Sequence, residues 1–346
     1  MSASTKFARM RAPRTTTETS DVRVTYFNEQ RLPIVYEAPT EIDLPGWVRL
    51  NSESLRETLR EHAAILLRSP SKPDFGATVQ AFSDSLVDYR GGAAIRSRVD
   101  RETYTASEYP AELEIRLHSE FCYSNDWPML LFFHCAEIEP GRGGQTPIAD
   151  NRRVLAEMPE EVRRQFVERG LTYMRGYGYN RTWQRSYETD SREDVEALCA
   201  AEDRRCEWVG DGLLRTYETR PACAVHPLTG EPVWFNYAHG FHISRMDDHI
   251  REALSTSSED TDDRLWPNNV FWGDGSEIDH AIVEAANEVV RRNAIQFDWE
   301  VGDTLIVDNM LCAHGRRPYS GRRRILLKMA ESYRATRASV DRAIEA

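Results

Sequence analysis

Two histidines and one glutamate are the residues of this chain whose types and spacing best suit a reaction centre. His118, Ser119 and Glu120 form a tripeptide. In an extended strand, residues i and i+2 project from one face, which would set the His118 imidazole beside the Glu120 carboxylate. His314, far along the chain, is the candidate third ligand. Two imidazoles and a carboxylate on one face of an octahedral iron leave three cis positions open for a co-substrate and dioxygen. The tripeptide alone says little: with nine histidines and 56 acidic residues, roughly one or two His-x-Asp/Glu matches arise by chance. A lone buried histidine is also more often a hydrogen-bonded core residue than a ligand.

The neighbouring sequence raises the odds. Gly143-Gly144-Gln145-Thr146 brings a small hydroxyl back after a tight turn, and His314 follows the apolar run DTLIVDNMLCA. Arg324 lies ten residues beyond His314, at the start of the next predicted strand. An iron oxygenase that uses 2-oxoglutarate must hold its C1 carboxylate and keto group at the metal and anchor the C5 carboxylate some way off. A guanidinium can clamp that carboxylate with two charge-assisted bonds, and a threonine hydroxyl can add a third. Arg324 and Thr146 are the right types. Singly, Arg322-Arg323-Arg324 reads as a solvated basic loop and His314-Gly315-Arg316 as a turn; order and spacing together favour the site.

The elements that must position these groups are legible in outline. Leu55, Leu59, His62, Ala63 and Leu66 recur at helical spacing, which predicts a helix over Ser54–Leu67 with Ser54 and Glu57 as a capping box. A second helix is expected over Phe75–Tyr89. Met129–Ile138 is too apolar for a half-exposed strand and predicts a buried one. Thr146–Ala149 starts another strand, and a helix over Pro159–Glu168 is punctuated by its proline and by Gly170. Beyond it come a helix near Ser191–Glu202, a strand near Leu213–Thr219, a helix near Ile278–Asn293, and closing strands Thr304–Asp308 and Arg323–Ala330. The pattern predicts a mainly β fold with helical decoration, a double-stranded β-helix (jelly roll) core. Residues 21–346 are expected to form a single domain with a mixed insertion at about 171–300, after a disordered tail over residues 1–20.

Composition narrows the function classes. A chain of 346 residues, 40% hydrophobic and 29% charged, is that of a soluble globular protein. A net charge of −12 argues against a nucleic-acid or anionic-membrane partner. No apolar run approaches 18 residues, so no spanning helix is expected. Six cysteines without a CxxC pair favour reduced thiols in a cytoplasmic protein.

The stretch HSEFCYSNDWPMLLFFHCAEIEPGRGGQTPIADNRRVL, residues 118–155, resembles the TauD/TfdA family of iron(II)- and 2-oxoglutarate-dependent dioxygenases. DTLIVDNMLCAHGRRPYSGRRRILLKMAE, residues 303–331, resembles the same family's distal motif, and within it both are most similar to the syringomycin-biosynthesis hydroxylase branch. Carried over by position, the resemblance implies that His118, Glu120 and His314 hold Fe(II), and that Arg324 and Thr146 contact 2-oxoglutarate, with dioxygen as second co-substrate. Lys328 falls where the taurine-oxidising member carries an arginine for its substrate, which implies a different substrate or a structural lysine. A glutamate ligand, where most members have aspartate, resembles the antibiotic-biosynthesis branches. Its presence disfavours halogenation, which requires a small residue there. The resemblance implies hydroxylation of an unactivated C–H bond in an amino acid, free or tethered to a peptidyl carrier protein, in specialised metabolism. Desaturation, cyclisation or epoxidation would use the same chemistry. Arg116, Arg215 and Asn236 are candidate substrate contacts. A zinc or manganese hydrolase or isomerase, and a non-catalytic jelly roll that binds a small ligand, are the competing readings.

Overall fold

The structure, a computed structural model, describes residues 22–88, 98–100, 102–106, 109–178, 182–210, 212–245 and 268–335. Its frame is two facing sheets. The larger runs in the order Arg23–Tyr26, Ile34–Glu37, Ala64–Arg68, Thr304–Asp308, Asp126–Ile138, Arg323–Arg334, Leu86–Val87, with Tyr104–Thr105 also paired to Arg323–Arg334. All its pairings are antiparallel except that of Ile34–Glu37 with Ala64–Arg68. The smaller sheet has Cys312–Arg316 between Ile115–His118 and Ile148–Asp150. Phe132, Phe133, Leu305 and Leu327 from the larger sheet and Leu117, Ile148 and Cys312 from the smaller belong to one buried apolar cluster. This is the expected jelly roll.

The predicted strand at Met129–Ile138 runs from Asp126 and is buried through most of its length. Glu160–Arg169 forms the expected helix, capped by Pro159 and Gly170. The first predicted helix needs correction. It spans Ser52–His62 with Asn51 as its cap, and Ala63 turns left-handed (φ 63°). Ala64–Arg68 then continues as a buried strand. The second helix ends at Phe82. The expected disordered tail lies outside the described residues.

Between Ile148–Asp150 and Thr304–Asp308 the chain builds an accessory antiparallel sheet, in the order Arg205–Val209, Leu213–Arg220, Leu171–Tyr177, Asn268–Trp272. Ile148 and Ile295 exchange backbone hydrogen bonds, both 2.8 Å, across the neck of this excursion. Helix His280–Arg292 buries Val283, Ala286, Val289 and Val290 on one face and returns the chain to the frame. Among the described residues no helix is long and apolar enough to cross a membrane.

Candidate metal centre

His118 is the last residue of its strand, and His314 sits mid-strand directly opposite it. Cross-strand neighbours share a face, and the two rings lie 4.5 Å apart. Gly315 makes this close pairing feasible, since a Cβ there would lie 2.6 Å from the Ile115 carbonyl oxygen. In the sequence His314 only follows the apolar run DTLIVDNMLCA; the strand Cys312–Arg316 went unseen because CAHGR carries no strand-like alternation.

Glu120 is not in the strand with His118. It stands in the turn beyond, so its approach is set by partners distant in sequence. Asn309, fully buried, accepts from the Glu120 backbone N–H (2.7 Å) and donates to the Glu120 and Pro128 carbonyls (2.8 Å each). Asn151 donates to Ser119 Oγ and to the Met310 carbonyl. Asp308 caps the Met310 and Leu311 N–H groups and accepts from His226 Nε2 at 3.1 Å. The Leu228 and Thr229 N–H groups point at His226 Nδ1, so that imidazole's proton belongs on Nε2. Phe121, immediately after Glu120, holds a left-handed φ of 58°, a conformation that costs about 1–3 kcal/mol and clusters at functional sites.

The ligand atoms of His118, Glu120 and His314 all lie within 4.8 Å of one another. Glu120 Oε2 is 3.9 Å from both His118 Nε2 and His314 Nε2, too far for hydrogen bonds but close enough for all three to meet one ion. His118 Nδ1 donates to the Arg116 carbonyl (2.9 Å), which leaves the Nε2 lone pair directed at the cluster, the arrangement typical of a metal-bound histidine. Two neutral nitrogens and one carboxylate oxygen on one face suit iron(II).

Beside the triad a cleft opens between the sheets, lined by Ile115, His118, His314, Phe133, Ile325 and Thr146 together with Arg316 and Arg323. No carboxylate is among the described residues lining it. Thr146 is buried, and its Oγ1 accepts from Trp299 Nε1 (3.0 Å), which leaves the hydroxyl proton to donate. Arg323 lies across Gly144, with Nε bonded to the Gly144 carbonyl (2.8 Å). A Cβ at Gly144 would come within 2.8 Å of the Arg323 Cδ. Burial, and next the adjacent Arg316 cation, lower the Arg323 pKa to about 10.

Arg324, the expected clamp, does not line the cleft; Arg323 does. Side chains alternate along a strand: Arg323 and Ile325 face the cleft, whereas Arg324 is exposed and pairs in register with Glu137. Lys328, buried on the face opposite Leu327, has its Nζ 3.8 Å from Asp100 and does not line the cleft. Asn236 spends its amide on the Ala222 carbonyl and the Ala238 N–H, a backbone role. Arg116 donates to the His239 carbonyl (2.9 Å), on the side where the Tyr237 ring stacks 4.9 Å from His118. Arg215 belongs to the accessory sheet. Sequence reasoning missed Arg316, which donates to the Tyr109, Pro110 and Leu113 carbonyls and ties that segment to the His314 strand.

The model of the family described as taurine catabolism dioxygenase TauD, TfdA matches residues 28–330. The chain is 33% identical over 282 residues to the dapdiamide synthesis protein DdaC of Enterobacter agglomerans, covering 80% of this chain and 84% of that protein. It is 31% identical over 301 residues to a clavaminate synthase-like protein of Arabidopsis thaliana, covering 82% and 86%. Among solved structures, PvcB, an Fe, alpha-ketoglutarate dependent oxygenase from an isonitrile synthetic pathway, aligns at a TM-score of 0.50 and 17% identity over 93% of this chain and 98% of that one. At that identity the likeness speaks to the fold.

Proposed function

This chain belongs to the TauD/TfdA family of dioxygenases, which work with iron(II) and 2-oxoglutarate, and we propose that it hydroxylates an unactivated C–H bond of an amino acid or aminoacyl group in natural-product biosynthesis. The observation that carries the reading is the His118–Glu120–His314 cluster beside a cleft whose described lining includes two arginines and no carboxylate. The biosynthetic setting is supported by the similarity to a dapdiamide synthesis protein.

In this reading His118 Nε2, His314 and the Glu120 carboxylate hold the metal, and Asn309 fixes the turn that presents Glu120. Iron with 2-oxoglutarate and dioxygen supplies the oxidising power for C–H cleavage. Arg323 and Thr146 receive the far carboxylate of 2-oxoglutarate, and Phe133 and Ile325 give the cleft apolar walls. Glu120 fills the position a halide would need, which favours oxygenation. Arg116, on the Tyr237 side of His118, is the assigned contact for the substrate's own carboxylate.

The test is a screen of free amino acids and carrier-bound aminoacyl thioesters, read by succinate release and product mass. Gain of one oxygen with either panel is the expected result; loss of two hydrogens would move the assignment to desaturation. No substrate-dependent succinate from either panel sinks the proposal. Independently, His314→Ala should abolish the charge-transfer absorbance of the anaerobic iron–2-oxoglutarate complex, and a retained band removes His314 from the ligand set.

A further inference from the structure

His118 is held on its ring faces as well as at its nitrogen. The bond from Nδ1 to the Arg116 carbonyl (2.9 Å) fixes the tautomer, but the outer torsion of a histidine side chain is intrinsically broad. The plane of the ring, and with it the direction of the Nε2 lone pair, is therefore set by what packs against it. The His314 ring lies 4.5 Å away at a tilt of 46°. The Tyr237 ring is the flatter neighbour, stacked at 28° with centroids 4.9 Å apart.

Tyr237 is seated from several directions. Its backbone N–H donates to the hydroxyl of buried Tyr173 (2.9 Å), in the accessory strand Leu171–Tyr177. It opens the helical turn Ala238–Phe241, which a crossed pair of bonds stitches to the His118 strand. His239 Nε2 donates to the Leu117 carbonyl (2.8 Å), and Arg116 donates back to the His239 carbonyl (2.9 Å). Gly240 completes the seat. A Cβ there would lie 2.1 Å from Tyr237 Cζ and 2.2 Å from Cε2, so the ring would have to move about 1 Å or more to restore ordinary contact. The Gly240 backbone is not left-handed, and within a helix glycine is disfavoured against alanine. Its missing Cβ, not its conformational freedom, is what the structure uses.

We propose that Tyr237 is a positioning residue for the metal: the face of its ring holds the His118 imidazole in the plane from which Nε2 meets the ion, and Gly240 leaves the room this stack requires. The role rests on His118 being a metal ligand and is independent of which substrate is oxidised. Through Tyr173 and the Ala238–Phe241 turn, it makes the hold on the metal depend on chain outside the jelly-roll frame.

Full-length metal-free protein is titrated with cobalt(II), with calorimetry for Kd and the visible absorbance of the bound ion for its coordination geometry. Thermal unfolding without metal records what each substitution does to the fold alone. Tyr237→Leu should raise Kd about 3- to 10-fold, the scale of a lost aromatic pair, and shift the cobalt spectrum. Tyr237→Phe keeps the ring and should match the unsubstituted protein in both. Gly240→Ala should reproduce the Tyr237→Leu effect with the tyrosine still present, and it carries the test alone if Tyr237→Leu does not fold. Adding Gly240→Ala to Tyr237→Leu should cost nothing more, because the ring it displaces is gone. Unchanged Kd and spectrum in Tyr237→Leu and Gly240→Ala overturn the proposal, as does a Gly240→Ala loss that persists undiminished beside Tyr237→Leu. His314→Ala is the separate control and should abolish tight one-site cobalt binding. If it does not, the ligand set fails first and the role of Tyr237 falls with it.

Discussion

Arg323→Met and Arg324→Met differ by one position and should differ by orders of magnitude in what they do to 2-oxoglutarate. Arg323 reaches the cleft with its Nε already spent on the Gly144 carbonyl, so its two terminal nitrogens form the fork that meets a carboxylate. Removing one partner of such a buried charge pair costs about 2–4 kcal/mol, a rise in Kd of about 30- to 900-fold. Thr146 remains in the variant and sets the residual affinity. Arg324 is exposed, and its loss should change Kd by less than about 2-fold, the scale of a screened surface charge. The assay is anaerobic titration of the iron-loaded variants, followed by charge-transfer absorbance. If Arg324→Met weakens binding more than Arg323→Met does, the side-chain alternation assigned to this strand is wrong.

Asn309→Ala should lower stability by about 3 kcal/mol or more in urea unfolding, because three buried backbone groups lose their partner together; a loss under about 1 kcal/mol would mean the Glu120 turn holds itself. Gly144→Ala meets both a left-handed φ of 79° and the Arg323 side chain, and should cost about 1–3 kcal/mol while weakening 2-oxoglutarate binding in the same titration. His239 is buried with its pKa lowered to about 4, first by desolvation. The unfolded chain takes up this proton near the ordinary value of 6.5, so stability is intact above 6.5 and drains away as pH falls toward 4, by about 3 kcal/mol. Metal-free His239→Gln should show a flatter pH dependence over that window; an unchanged slope would assign the acid sensitivity elsewhere.

What the sequence discloses about this site follows from the range of its signals. The histidines and glutamate are chemically distinctive and sit in quotable motifs, so they could be named without coordinates. Adjacent arginines are not distinguishable in that way. Arg322, Arg323 and Arg324 have one chemistry, and only the pleat decides which enters the cleft; a register shift between Arg324 and Ile325 adds to the difficulty. Ala63–Leu67 satisfies helical and strand periodicities alike, and pairing with Ile34–Glu37 and Thr304–Asp308 selects the strand. Glu120's supports come from residues 151, 226, 308 and 309, contacts that no local pattern encodes. The jelly roll itself was legible because buried strands such as Met129–Ile138 are continuous apolar runs.

The paired hydrogen bonds between Ile148 and Ile295 tie off the excursion at its neck, and that knot divides the chain's labour. Both imidazoles, Glu120, Thr146 and Arg323 are carried by chain on the frame side of it. Asn151 and His226, beyond it, reach back to Ser119 and Asp308 and so help hold the turn that presents Glu120. The cluster and its supports are thus drawn from opposite sides of one backbone tie, and neither stretch is free of the other.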